Sequence, residues 1–186
     1  MRNSSNVFSI RKLMGLIVLS LLVVPSVAMS QDAANGTATA TVQTVLAVTA
    51  TTNLIFPIVY QGVATTMGVA NDDSTAEFTI TGQGSAGINL TLGLPEYLAL
   101  ADGSDRMTIS FANTDAVVDS TVATPSTVVG GDGWVAQDPR NLPAATVIGS
   151  AGQTNVYLGG KVTPSVNQSA GAYTGDIILS VAYNGT

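Results

Sequence analysis

The sequence predicts an all-β chain folded as an antiparallel two-layer sandwich, and three observations carry that reading. Strict alternation of apolar and polar residues recurs along the chain, the two-residue period of strands with one buried face. No stretch of helix length shows a convincing three-four period. The composition agrees, with 46% hydrophobic residues but only 5% aromatic and 10% charged. Val, Thr, Ala and Gly in such proportions suit strands and turns rather than long helices.

The elements follow in chain order. Arg2, Arg11 and Lys12 precede an apolar run from Leu13 to Val24 that Pro25 breaks, the layout of a cleaved secretory leader over residues 1–30. That run is shorter than the roughly 20 residues needed to span a bilayer. Cleavage after Ser30, or alternatively after Ala28, leaves an N-terminal extension at 31–42 and a single sandwich domain at 43–186. Of the six basic residues only Arg106, Arg140 and Lys161 follow the leader, against twelve acidic ones. Such an acid excess disfavours nucleic acid and anionic membranes as partners.

Thr37–Ala50 places Ala38, Ala40, Val42, Thr44, Leu46, Val48 and Ala50 on one face of a first strand. Ala76, Phe78 and Ile80 alternate with Glu77, Thr79 and Thr81, and Ile88, Leu90 and Leu92 alternate with Asn89 and Thr91. Gly82, Gly84 and Gly87 between these runs predict a hairpin connection. Met107, Ile109 and Phe111 define a further strand, entered through the turn Asp102-Gly103-Ser104-Asp105. The Pro- and Gly-rich region 114–152 predicts long loops holding one or two short strands. A strand at 155–163 is interrupted at Gly159-Gly160, and Ile177, Leu179, Val181 and Tyr183 share one face of the last strand. About seven short strands without crossover helices favour a sandwich of immunoglobulin-like type. An outer-membrane barrel would need aromatic girdles, whereas nine aromatic residues follow the leader and the chain ends Asn184-Gly185-Thr186.

The chemical inventory is short. The chain has no Cys and no His, which excludes Ser/His/Asp and Cys/His catalytic sets, thiolate metal sites, haem attachment and disulfides. Asn71-Asp72-Asp73 and Asp102-Gly103-Ser104-Asp105 place oxygen ligands on turns, as calcium requires, but neither has a distal Glu and turn formation explains both. Glu77 and Glu96 are the only glutamates available as a glycosidase pair, and Glu77 lies on an outward strand face. Lys161, beside Gly159-Gly160, reads as a charged strand edge. Trp134 follows Gly130-Gly131-Asp132-Gly133. A lone Trp on a Gly-rich loop suits either sugar stacking or anchoring of the loop. No Gly-Lys-Ser/Thr follows, so the run is not a phosphate loop. No catalytic residue, cofactor or metal is expected.

The C-terminal segments carry a resemblance. Val156-Tyr157-Leu158-Gly159-Gly160, Lys161-Val162-Thr163-Pro164 and Gln168-Ser169-Ala170-Gly171-Ala172-Tyr173-Thr174-Gly175, followed by an alternating strand, resemble a bacterial secreted family known as domain of unknown function 4402. Thr52-Asn53-Leu54-Ile55-Phe56 and Phe78-Thr79-Ile80-Thr81-Gly82 fall in the same order as in that family. The ending is also similar to spore coat U type proteins and archaic chaperone–usher pilins. The resemblance implies an incomplete immunoglobulin-like sandwich, completed by the N-terminal strand of the next subunit. It further implies a homopolymeric fibre or coat, with a periplasmic chaperone and an outer-membrane usher as partners. The pilins commonly carry a disulfide that this chain lacks.

Two features of the residues agree with strand exchange. The sequence stops just after Tyr183 with no following strand, which leaves an edge or groove exposed. The Thr/Ala extension ahead of the first strand suits addition to a neighbour's sheet edge. The expectation is therefore a non-enzymatic subunit of a surface fibre, with Ala38, Ala40, Val42, Leu46 and Val48 on the donor face and Ile177, Leu179, Val181 and Tyr183 lining the acceptor core. Ala side chains would make a shallow plug, and Leu46 and Val48 a deep one. Two readings stand beside it: Thr37–Ala50 as the first strand of a self-contained sandwich, and a monomeric carbohydrate-binding or adhesive module using Trp134.

Overall fold

The computed structural model describes residues 33–70, 73–120 and 134–185. The expected leader at 1–30, Asn71, Asp72 and the glycine run before Trp134 lie outside the described residues. Residues from Thr41 onward form one compact unit, while those up to Ala40 belong to another.

The described residues hold thirteen strands and no helix, every strand pair being antiparallel. The protein is an all-β antiparallel sandwich. One layer has the order β1-β3-β10-β7-β8, built from Ala47–Thr52, Ala76–Thr81, Gln153–Leu158, Ala116–Asp119 and Ala136–Gln137. The other comes in two pieces. Its larger piece runs β12-β5-β6-β11-β2, from Tyr173–Thr174, Tyr97–Leu100, Arg106–Ser110, Gly160–Thr163 and Thr65–Met67; the smaller runs β13-β4-β9, from Ile178–Tyr183, Gly87–Gly93 and Thr146–Val147. The pieces share a break, because β4 passes through Leu94-Pro95-Glu96 into β5 just where β12 passes through Gly175-Asp176-Ile177 into β13.

Alternation places the core. Ala76, Phe78 and Ile80 on β3, Ile88 and Leu90 on β4, Met107 and Ile109 on β6, and Val156 and Leu158 on β10 all point between the layers. Burying each large side chain contributes about 1.5 to 3 kcal/mol. β10 departs from alternation, since Thr154 through Leu158 are all buried. Thr154, Val156 and Leu158 face the core, while Asn155 and Tyr157 are covered on the outer face. There the Trp134 ring lies 4.9 Å from that of Tyr157.

Four sequence expectations are corrected. The first strand begins at Ala47, not Thr37; among the described residues, 37–46 lie outside any strand and have no strand partner. Gly82–Gly87 is a crossing between layers and not a hairpin. Its backbone pairs with residues 148–152 instead, Gly82 N donating to Gly152 O, Ser85 N to Ile148 O, and Ile148 N to Ala86 O. The third concerns 155–163. These residues run from β10 in one layer into β11 in the other, and a Cβ on Gly159 would sit 2.5 Å from the Met67 carbonyl. Only glycine lets the backbone turn that corner. The fourth concerns 114–152, whose described residues hold three short strands, β7 to β9, rather than one or two. β7 is central in its layer, flanked by β10 and β8.

Candidate functional site: an open slit between the layers

β1 is the edge of one layer, and β12 and β13 form the edge of the other. The chain leaves β1 at Thr52 and continues as an uncharged apolar segment, Asn53 to Gln61, outside any strand. Pro57 has no N–H to give a ladder, and Ile55 N finds Ser74 O at 2.8 Å. This segment and residues 168–177 are the two lips of a slit of about 950 Å³. Its floor is the core itself: Ala76, Phe78, Leu98, Met107, Ile109 and Val162.

The lips run antiparallel and meet at one end. There Gln61 Nε2 donates to the Gln168 carbonyl at 2.5 Å, and Gly62 N to Ser165 O at 3.0 Å. At the far end of the slit, Ala50 and Ile177 line it from opposite edges. Beyond the slit, the Tyr183 hydroxyl donates to the Thr44 carbonyl at 2.8 Å and accepts from Gln83 N at 2.8 Å. Gly62, with φ of 69°, holds the turn in which Val63 N bonds Tyr60 O. The slit is thus closed at the Gln61–Gln168 tip and open along its length.

Asp105, in the turn between β5 and β6, organises the 165–173 lip. Its Oδ2 accepts from Gln168 Nε2 at 2.7 Å, Ser169 N at 2.7 Å and the Tyr173 hydroxyl at 2.8 Å; its Oδ1 accepts from Arg106 N at 2.8 Å. The Ser169 N–H and then the Tyr173 hydroxyl hold its carboxyl down to about 2. Gln168 is buried and also accepts from Ser165 N through Oε1 at 3.1 Å.

The acceptor-side residues lie along this edge. Leu179 is buried, and Ile177, Val181 and Tyr183 are half-buried against the core, Ile177 also lining the slit. On the donor side, Ala38, Ala40 and Val42 are exposed and outside any strand, Val42 at 90%. Leu46 packs against the chain's own core, whereas Val48, whose backbone on β1 pairs with Ile80 on β3, keeps its side chain exposed. Ala38, Ala40, Val42 and Val48 are the accessible part of that face.

The chemical candidates are not assembled into a centre. Glu77 sits on β3 beside Asn155, whose amide donates to it, whereas Glu96 lies in the connection between β4 and β5 of the other layer. Asp102 accepts from the Ser104 N–H at 3.0 Å and hydroxyl at 2.7 Å, which lower its pKa, so its carboxylate closes its own turn. Lys161 is exposed on β11 opposite Ser110. Trp134 is half-buried with one face on Tyr157, whose own pKa is pushed up to about 12 chiefly by burial. Among the described residues no three Asp or Glu converge as a metal site, and no helix is long and apolar enough to cross a membrane.

Sequence reasoning missed the second lip, Asn53–Gln61, and the residues closing its tip, Gln61, Gln168 and Asp105. The signal for the lip was present: an apolar run cut by Pro57, which marks an edge and not a central strand. No family model matches the chain, and no curated protein matches it.

Proposed function

We propose that the protein is a non-enzymatic structural subunit of an extracellular bacterial fibre, pilus or surface coat, exported through its leader and polymerising by β-strand donation. The observation that carries this reading is the slit, a core left open between two sheet edges and lined by apolar side chains. An extended peptide laid there pairs its backbone with the lips and its alternate side chains with the core, as in β-augmentation.

The occupant is the N-terminal stretch of a second copy. Residues 33–71 contain no Asp, Glu, Lys or Arg, although acids outnumber bases two to one in the chain. Copies of an acidic protein repel unless the surfaces brought together are uncharged, and both the extension and the lip at 53–61 meet that condition. Ala38 and Ala40 reach a short way into the slit and Val42 further, so backbone hydrogen bonds provide much of the affinity. Before assembly the open slit exposes apolar surface that favours aggregation. A periplasmic chaperone and an outer-membrane usher fit that need.

The test is a denaturing gel of the exported protein with and without boiling, beside a variant lacking Gln31–Val42. The expected result is a ladder that boiling collapses, absent from the variant. An unheated sample that is monomeric in both forms overturns the proposal.

A further inference from the structure

The donor stretch cannot fix its own position. Thr37-Ala38-Thr39-Ala40-Thr41-Val42 repeats every two residues. A slip by two therefore leaves almost the same side chains facing the same way, the situation in which strand register is weakly specified. A polymer of defined geometry then needs the stop to be on the acceptor.

We propose that the clasp joining the lips through Gln61–Gln168 and Gly62–Ser165, braced by Asp105, is that register stop; the inference rests on the strand-donation reading. The slit ends where the clasp begins, since Gln61 and Gln168 both line it and are bonded to each other across it. The 168–177 lip is extended only around Tyr173–Thr174 and bends at Ala170 and Gly171, so its seat is shorter than nine full strand steps of about 3.3 Å. A donor strand of a few residues fills it, and a longer one collides with the closed tip. Because the slit is open along its length, the donor enters from the side and settles against that one fixed end. Asp105 acts as a positioning residue: its carboxylate holds Gln168, Ser169 and Tyr173 together, which keeps the Gln168 carbonyl in place for Gln61.

The natural absence of cysteine allows a direct reading of register. Full-length chains carry one cysteine at Ile177 on the acceptor lip and one at position 38, 40 or 42 of the donor, and oxidised dimers and ladders are quantified. In the otherwise unchanged protein one donor position dominates. Adding Gln61→Ala, an exposed substitution, lowers the ratio of main to slipped crosslink about fivefold, the factor for one lost hydrogen bond. Asp105→Asn gives a second, independent opening of the clasp and shifts the pattern the same way. A single dominant position that neither variant disturbs overturns the stop while leaving strand donation standing. A flat pattern across 38, 40 and 42 in the unmodified clasp does the same. No crosslink between chains in any variant overturns both.

Discussion

β10 and the lip at 53–61 are built from similar material and meet opposite fates. β10 lies between β3 and β7, with its alternate side chains clad on both faces. The lip carries Leu54, Phe56 and Val59 toward the same core, yet Ile58 is 79% exposed and Tyr60 65%. Apolar content does not separate them; what differs is the number of strand neighbours. Every backbone group of a central strand has a ladder partner, while a lip with Pro57 in its middle has core contact on one side and solvent on the other. Stability concentrates where pairing is complete, and capacity for a partner remains where it is not.

The contrast breaks most severely at β10. Val156→Asp buries an unpaired carboxylate in the core and is expected to prevent folding, as judged by loss of the cooperative urea transition. Leu158→Ala leaves the fold intact at a cost of about 2 to 5 kcal/mol, read from the same transition. Gly159→Ala, by forcing a Cβ against the Met67 carbonyl, is expected to cost about 1 to 3 kcal/mol. At the slit the expected effects fall on assembly. Ala40→Leu deepens the plug and slows dissociation of the ladder about tenfold, from the apolar surface added, while the urea midpoint of the monomer stays within about 0.5 kcal/mol of the parent. An Ala40→Leu ladder no more heat-resistant than the parent's would argue against Ala40 facing the core of a neighbour.

The smallest effect is the acid limb. Asp105 has its folded pKa below its ordinary value of 3.8, at about 2. Its contribution to stability is complete above pH 4 and fades as pH falls through that interval toward 2. Asp105→Asn is expected to flatten the pH dependence of the urea midpoint between pH 4 and 2 and to lower the midpoint at neutral pH. Equal slopes in the two proteins would show that Asp105 is not the group responsible.

Alternation was enough to read β3, β4, β6 and β13, because each has one buried and one exposed face and the two-residue period survives intact. It failed on β7 and β10, whose faces are both covered, so Val117, Asn155 and Tyr157 are buried where a one-faced strand would show them to solvent. It failed differently at Thr37–Leu46, where the period continues but the described residues offer no neighbouring strand to use it. Glycines showed where the chain turned but not where it turned to: Gly82–Gly87 and Gly159 carry the chain between layers, and partner choice depends on residues far away in sequence. Leu179, Val181 and Tyr183, part of the proposed acceptor face, share one side of β13, and Ile177 stands just ahead of that strand. The clasp was not legible, because Gln61, Gln168 and Asp105 come from three separate turns whose meeting depends on the completed sandwich.

The corner at Gly159 also has a mechanical meaning. One uninterrupted stretch of chain is bonded into the first layer from Gln153 to Leu158 and into the second from Gly160 to Thr163. The layers therefore cannot slide past one another without shearing one of those ladders, and shear loads several hydrogen bonds together, not one after another. The slit lips adjoin the edge strands of both layers, with β3 on one side and β5 and β6 on the other standing between them and this rivet.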